Sequence, residues 1–385
     1  MNKKAIAILG AIFLLIVGTL GFLIYSKYFN KPVESPIVTT PSPSPIPTPS
    51  PTPTNPAPSP SAGSTLVKLT DEADGQIVSP VLWFNGEAIN YFDNKGNLYV
   101  ANFYESQGRL SLTGKKLIAI PSKANIVKVL WPSQTRDFIV QLKDGAGIVS
   151  YSYFNYDSAT FTDLPKQVKA LDWMPNGTQI MYVWVEGGKA TLSLANPDTK
   201  NYKDLAEMWE TDNAIHISPN ADQLLYFQTQ NTGDTNPINS VTADGKVWKA
   251  LVKTGQNFGV LWSPDGQRFL FGKRDIATQK YQLWVYNLTL GEVRNLGLNT
   301  TVEKAVWGKD SNTIYASVPN SGGVEENTLT VDSFFQMDIN SLEKKQYAAA
   351  ATAVDGRDLF LNSLGDKLFF KNAQDGALYY LDLNQ

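Results

Sequence analysis

The chain has no cysteine among its 385 residues and only one histidine. Without thiols there can be no disulfide, no thiolate zinc site, no cysteine nucleophile and no lipid attached at a lipobox cysteine. A single histidine, His216, leaves no second imidazole for a metal set, and the Gly-x-Ser-x-Gly elbow of a serine hydrolase is missing as well. His216 is therefore expected as a packed structural residue. A strong excess of one charge is also lacking. Setting aside Lys3, Lys4, Lys27, Lys31 and Glu34 leaves 29 basic against 35 acidic residues, a net charge of −6 with no Lys/Arg run. Such a surface repels a phosphate backbone, so nucleic acid is excluded as a partner. Calcium-loop spacing and glycine-rich phosphate loops are absent too, and "DNKGN" at 93–97 reads as a hairpin turn. No metal or cofactor is expected.

What is present begins with an uncharged run at 5–25, rich in Ile, Leu and Phe, behind residues 1–4 with two lysines. Twenty-one residues at about 1.5 Å rise make roughly 30 Å of helix, the thickness of a hydrocarbon core. A cleaved signal peptide would have a shorter apolar region and a small-x-small site, so the run reads as an uncleaved signal anchor. Lys3 and Lys4 on one side nearly balance Lys27 and Lys31 on the other. The expected orientation places the N-terminus inside and the rest outside the cytoplasm of a bacterial cell. It rests on the stalk and on a C-terminal domain of a kind usually exported. Residues 26–64 form a linker whose stretch 32–60 holds twelve prolines among Ser, Thr and Val. Proline at alternate positions removes amide donors and fixes φ, which leaves a polyproline-like stalk. A ligand for proline-binding modules is the other reading of that composition.

The remainder, 65–385, is built from copies of one unit. Aligned on an aromatic or apolar anchor before a turn, they are "VLWFNGEAINYF" at Trp83, "VLWPSQTRDFIV" at Trp131, "LDWMPNGTQIMYV" at Trp173 and "IHISPNADQLLYF" at Ile217. "VLWSPDGQRFLF" at Trp262, "AVWGKDSNTIYAS" at Trp307 and "LFLNSLGDKLFF" at Leu361 complete the set. The steps are 48, 42, 44, 45, 45 and 54 residues, the length of a propeller blade of four short strands. In the fifth copy a strand ends at Trp262, Ser263-Pro264-Asp265-Gly266 turns, and Phe269-Leu270-Phe271 comes next, apolar on both faces. A strand of that kind is sandwiched between neighbouring sheets. "YQLWVYNL" and the more polar "EVRNL" supply the third and fourth strands. The fold class expected is all-β, a seven-bladed propeller. Its tryptophans are read as packing between blades.

The unit at 262–266 with its adjoining strands resembles the TolB-type, WD-repeat-like β-propeller repeat of exported bacterial proteins, over 66–383. The resemblance implies a scaffold and leaves function open, because such repeats serve in binding proteins, peptidase gates and enzyme shells. Peptidases of this kind carry their chemistry in an additional α/β domain, and nothing in this sequence reads as one. The seventh unit stops after three strands, while "TLVKLTD" at 65–71 reads like a spare fourth strand. Pairing of 66–69 with the strand at 379–383 is expected to seal the ring.

Two candidate sites emerge. Three to four residues before each anchor, at the channel mouth, stand Lys128, Lys169, Asn213, Glu303, Lys304, Arg357 and Asp358. Glu303 and Asp358 are the one carboxylate pair there. They could serve a glycan or lactone hydrolase, or form salt bridges with Lys304 and Arg357 that staple blades. The second site is a face of loops: long connections at 228–239, with Asp234, and at 320–332, with Glu325, and the link at 205–213 carrying Trp209, Glu210, Asp212 and Asn213. Aromatic and acidic residues on a rigid ring suit docking of a protein or a cell-envelope polymer. Unselective surface insertion is the competing reading of such loops.

Overall fold

The structure, a computed structural model, describes residues 66–384 except 72–74, 84–85, 122, 230–234, 276–277, 279, 322–327 and 349–353. The expected membrane span and the proline-rich linker, residues 1–64, lie outside the described residues, as do Asp234 and Glu325. No described helix is long and apolar enough to cross a membrane.

The described residues form seven four-stranded antiparallel sheets. A short strand β1 (Leu66–Lys68) precedes the first full sheet, β2 (Ile77–Leu82), β3 (Ala88–Asp93), β4 (Leu98–Ser106) and β5 (Arg109–Ile118). The second is β6 (Ile126–Leu130), β7 (Phe138–Lys143), β8 (Val149–Asn155) and β9 (Thr160–Asp163); the third is β10 (Val168–Trp173), β11 (Ile180–Glu186), β12 (Lys189–Ala195) and β13 (Lys203–Met208). The fourth holds β14 (Asn213–Ile217), β15 (Gln223–Gln228), β16 (Ile238–Thr242) and β17 (Trp248–Val252). The fifth holds β18 (Gln256–Trp262), β19 (Arg268–Arg274), β20 (Tyr281–Asn287) and β21 (Glu292–Leu298). The sixth is β22 (Ala305–Trp307), β23 (Thr313–Pro319), β24 (Asp332–Asp338) and β25 (Lys344–Ala348), entered through a single 3-10 turn, Val302–Lys304. In the seventh, β26 (Gly356–Leu361), β27 (Lys367–Asn372) and β28 (Leu378–Asp382) are completed by β1.

The second strand of every sheet carries the hydrophobic load. β15, β19 and β23 each bury four consecutive residues, as strands covered on both faces must. The core accordingly sits between sheets. One apolar cluster joins Leu270, Leu283 and Leu296 of the fifth blade to Trp307, Ile314 and Met337 of the sixth.

The anchor tryptophans add a directional bond to that packing. The indole N–H donates to a backbone carbonyl of the preceding blade's inner strand at four positions: Trp131 to Ser79 (2.9 Å), Trp173 to Leu130 (2.8 Å), Trp262 to His216 (3.1 Å) and Trp307 to Leu261 (3.0 Å). Where the fourth blade has Ile217, no indole is available. There Asp172 of the third blade takes over, its carboxylate accepting the Ile217 N–H at 2.8 Å and that of Trp173 at 2.9 Å.

One anchor needs correction. The first and second strands pair Trp262 with Phe269 and Trp173 with Ile180, seven residues apart, and in the first blade the same spacing pairs Leu82 with Ile89. Leu82 is thus the true equivalent, and Trp83 stands one residue further on, where the Arg136 guanidinium covers its ring at 5.6 Å. A slip of one residue turns a strand side chain to the opposite face, so Trp83 cannot do what its aligned counterparts do.

β1 runs antiparallel to β28 in the register Leu66↔Leu381, Val67↔Tyr380, Lys68↔Tyr379. The two ends of the propeller are therefore held in one sheet, further tied by Thr70 Oγ1, which accepts the Leu378 N–H at 2.9 Å. The "DNKGN" segment is a turn capped by Asp93, whose carboxylate accepts the N–H groups of Lys95 and Asn97 at 2.9 Å each.

Candidate binding surface and channel

The link between the third and fourth blades presents the most prominent exposed aromatic. Trp209, 80% exposed, stacks on Trp248 with ring centroids 6.0 Å apart and planes 25° off parallel. Trp248 in turn meets the buried Tyr226 edge-on at 5.4 Å and donates its indole N–H to the Gly245 carbonyl at 3.2 Å. Gly245, at φ +78°, is forced by position: a Cβ there would come within 2.7 Å of the Leu205 carbonyl oxygen. That close approach brings the turn of the fourth blade against β13 and lets the two indoles meet. Trp209 thereby has one face fixed and the other turned to solvent, beside the exposed Glu210.

Asp212 and Asn213 serve this link instead of lining a free surface. Thr229 Oγ1 donates to Asp212, and Asn213, buried, donates from Nδ2 to the Glu210 carbonyl at 2.5 Å. The long connection after β15 is pinned at its far end by two buried amides: Asn236 Nδ2 donates to the Asn257 carbonyl (2.9 Å) and Asn257 Nδ2 to that of Asn236 (2.6 Å).

Lys304 departs further from its expected place. The 3-10 turn folds it inward, away from the channel, and only 2% of it is exposed. Its ammonium donates to Asp332 (2.6 Å), Asp355 (2.5 Å) and Thr330 Oγ1 (2.8 Å). Asp355 also receives Arg357 through both its Nε (3.1 Å) and its Nη2 (2.9 Å). Burial alone would raise the Asp355 carboxyl, but the hydrogen bonds from Arg357 and Lys304 hold it below its ordinary value. Salt bridges do staple the sixth and seventh blades, with Asp332 and Asp355 as the acids in place of Glu303 and Asp358. Neither of these two acids occupies a channel-mouth position before an anchor, so the repeat pattern does not mark them. The staple also holds one end of the 320–332 connection, since Arg357 Nη2 donates to the Thr328 carbonyl (3.1 Å) and Gln374 Nε2 to that of Thr330 (2.8 Å).

The inner strands leave a channel along the propeller axis. The residue just before each structural anchor is half-buried in all seven blades: Val81, Leu130, Leu261, Val306 and Phe360, with Asp172 and His216 side by side in the third and fourth. This ring is apolar except at that pair. Earlier in these strands, Ala170 and Ala214 pack into the cores between blades, Gly259 and Asp358 stand where the strand pairing shifts, and Lys128 and Asp358 are exposed. Lys169 and Glu303, both exposed, lie one step above.

These groups feel one another. Burial lowers the His216 imidazole to about 3, helped by Lys128, so it is neutral at physiological pH. Burial lifts Asp172 to about 6, against the two N–H bonds it accepts and the Lys128 charge. Asp358, open to water yet crowded by protein, is raised by burial and by Glu303, against Lys371, Lys128 and Arg357. Burial likewise lowers Lys371. No group of three or more His, Cys, Asp or Glu side chains that could hold a metal occurs among the described residues.

No known family profile and no curated protein matches the sequence. Solved structures do. An oligogalacturonate lyase from Vibrio parahaemolyticus superposes with a TM-score of 0.58 at 10% identity, covering 84% of this chain and 94% of that one. Hydrazine synthase from Kuenenia stuttgartiensis gives 0.56 at 10% over 82% and 97%. The Cps50 (Swd1) β-propeller domain from Myceliophteria thermophila gives 0.54 at 10% over 83% and 99%. The fold shared with them is the β-propeller, here of seven four-stranded blades. At these identities the likeness concerns fold alone.

Proposed function

We propose that the chain is a binding module: a propeller held by its N-terminal segment to the bacterial cytoplasmic membrane, displayed outside the cytoplasm on a proline-rich stalk. It docks a cell-envelope polymer or protein through the surface around Trp209. The observation that carries this reading is the indole platform itself. A tryptophan left mostly in solvent, with its orientation fixed by a second indole and followed in the chain by an exposed glutamate, offers a flat apolar face with a charge in the same link. That combination is characteristic of residues that dominate binding energy. The neighbouring folds include both a lyase and a Swd1 domain, so architecture favours neither catalysis nor binding.

The test uses the full chain in detergent as bait for isolated envelope polymer and for envelope proteins. Trp209→Ala is expected to weaken capture by more than tenfold, about 2 kcal/mol, with an unchanged melting temperature. Capture that survives the substitution would sink the proposal. The raised Asp358 carboxyl beside Glu303 favours the second reading, a channel hydrolase of glycans or lactones. It gains only if the same preparation turns over such a substrate and Glu303→Gln abolishes the turnover.

A further inference from the structure

The seam of the sixth and seventh blades holds a buried group of charges whose two acids are not equivalent. Lys304 is 2% exposed, and Asp332 and Asp355, which it touches, are fully buried. Three ions withdrawn from water in one place carry a desolvation penalty that apolar packing would not. The sequence has no cysteine, so a disulfide cannot brace this seam. Asp355 has both oxygens engaged: Oδ1 accepts from Lys304 (2.5 Å) and Arg357 Nε (3.1 Å), while Oδ2 accepts from Arg357 Nη2 (2.9 Å) and the Thr330 N–H (3.2 Å). It rests as a carboxylate. Asp332 is surrounded differently. Its Oδ2 accepts from the Lys304 ammonium (2.6 Å), the Ser317 hydroxyl (2.6 Å) and the Gly356 N–H (2.9 Å), yet its buried Oδ1 has no hydrogen-bond partner among the described residues. Gly356 permits this close approach, since a Cβ there would come within 2.8 Å of Ser317 Oγ and 3.0 Å of the Phe334 ring.

We infer that Lys304 and Asp332 condense into a side-chain amide, a covalent cross-link inside the sixth blade. One ammonium proton passes by way of Asp355, which touches the same Nζ, to the free Oδ1 of Asp332, and an amine then faces a carboxylic acid. Burial favours that neutral pair over the ions. The Nζ lone pair forms the bond to Cγ while the donors from Ser317 and Gly356 stabilise the negative charge that gathers on Oδ2. The bond from Cγ to Oδ1 breaks with its electron pair on oxygen, and a second proton from the nitrogen completes a water. Of the three ammonium protons two leave in that water and one stays on the amide, so nothing is oxidised or reduced. Two buried charges disappear and the pair of Asp355 with Arg357 persists. The new bond spans 28 positions of chain, pins the end of the 320–332 connection and restricts the unfolded state as any cross-link does.

The experiment is an intact-mass measurement on the full chain, purified folded in detergent and then denatured, followed by proteolysis and fragment mapping. The native chain is expected to be lighter than its sequence by one water, with the peptides carrying Lys304 and Asp332 recovered as one branched species. Lys304→Arg keeps the charge beside both acids but cannot condense, and is expected to show its full sequence mass. Full mass in the native chain overturns the inference by itself, whatever the variant does. So does a loss of water confined to a single peptide, as a cyclic imide at the Asp355-Gly356 pair would give. The same loss persisting in Lys304→Arg, or a branch that joins Lys304 to Asp355, would likewise overturn the roles given to these residues.

Discussion

At the residue scale, His216 and Lys304 show how little a side chain's type says about its state. His216 is the one group whose charge could change near neutrality by its ordinary chemistry, and the channel suppresses that change by lowering it to about 3. The unfolded chain binds a proton on this residue below about pH 6.5 and the folded chain does not. Its contribution to stability is therefore complete above that pH and is lost as pH falls toward 3. Asp172 acts in the opposite sense. Raised to about 6, it binds its proton more tightly when folded, so its contribution is largest at low pH and fades as pH rises from about 4 to 6. In the native protein the two slopes oppose each other. His216→Phe should leave Asp172 alone, and the variant's stability relative to the native protein should climb as pH drops from 6.5 to 4, by an amount on the order of 2 kcal/mol. Thermal melts at four or five pH values check this, and a difference that stays flat with pH would contradict the neutral imidazole. For Lys304, removing the ammonium strands Asp332 and Asp355 in the interior. Lys304→Ala should cost about 3–5 kcal/mol in urea denaturation.

At the scale of the element, the inner strand is the unit that joins the blades. It gives a carbonyl to the next blade's indole wherever a tryptophan is the anchor, and in the fourth blade the bond is rebuilt from Asp172 to the Ile217 amide. The repeat therefore tolerates a lost tryptophan provided some donor and acceptor still cross the seam. Closure depends on a much shorter element. β1 has only three residues, of which Val67 is buried against the sheet opposite Tyr380. Val67→Asp should detach it by placing a charge in that contact, leaving the β28 edge unpaired. A lower melting temperature and concentration-dependent association in sedimentation are the expected signs, and a variant as stable and monomeric as the native chain would show that closure does not need this pairing.

At the scale of the whole molecule, seven sheets share their cores pairwise, so no blade has a hydrophobic interior of its own and the described residues form one closed ring. Such a ring presents loops on a rigid frame, which is why a surface such as that around Trp209 can vary without disturbing the blades beneath it. The proposed tether makes a separate prediction. A C-terminal fusion of a reporter active only outside the cytoplasm should be active and fractionate with membranes, whereas activity of a cytoplasm-specific reporter would reverse the orientation.

The sequence by itself determined the all-β propeller, because a period near 46 residues, a turn after each anchor and strands apolar on both faces are local patterns that only stacked sheets satisfy. It also showed the spare strand before the first blade and the missing one in the last. Register was less legible: Trp83 looks like its counterparts, and only the pairing of Leu82 with Ile89 displaces it by one. The sites were legible in part. The positions before the anchors do mark the channel, but whether a side chain there faces the axis depends on a local turn, and the 3-10 geometry drives Lys304 inward to acids far away in sequence. The stacking of Trp209 on Trp248, the stapling by Asp332 and Asp355, and the hydrogen bond from the Ile217 amide to Asp172 were decided only by the tertiary structure. Each joins residues from different blades, and no pattern within a single repeat encodes which of its neighbours' side chains it will meet.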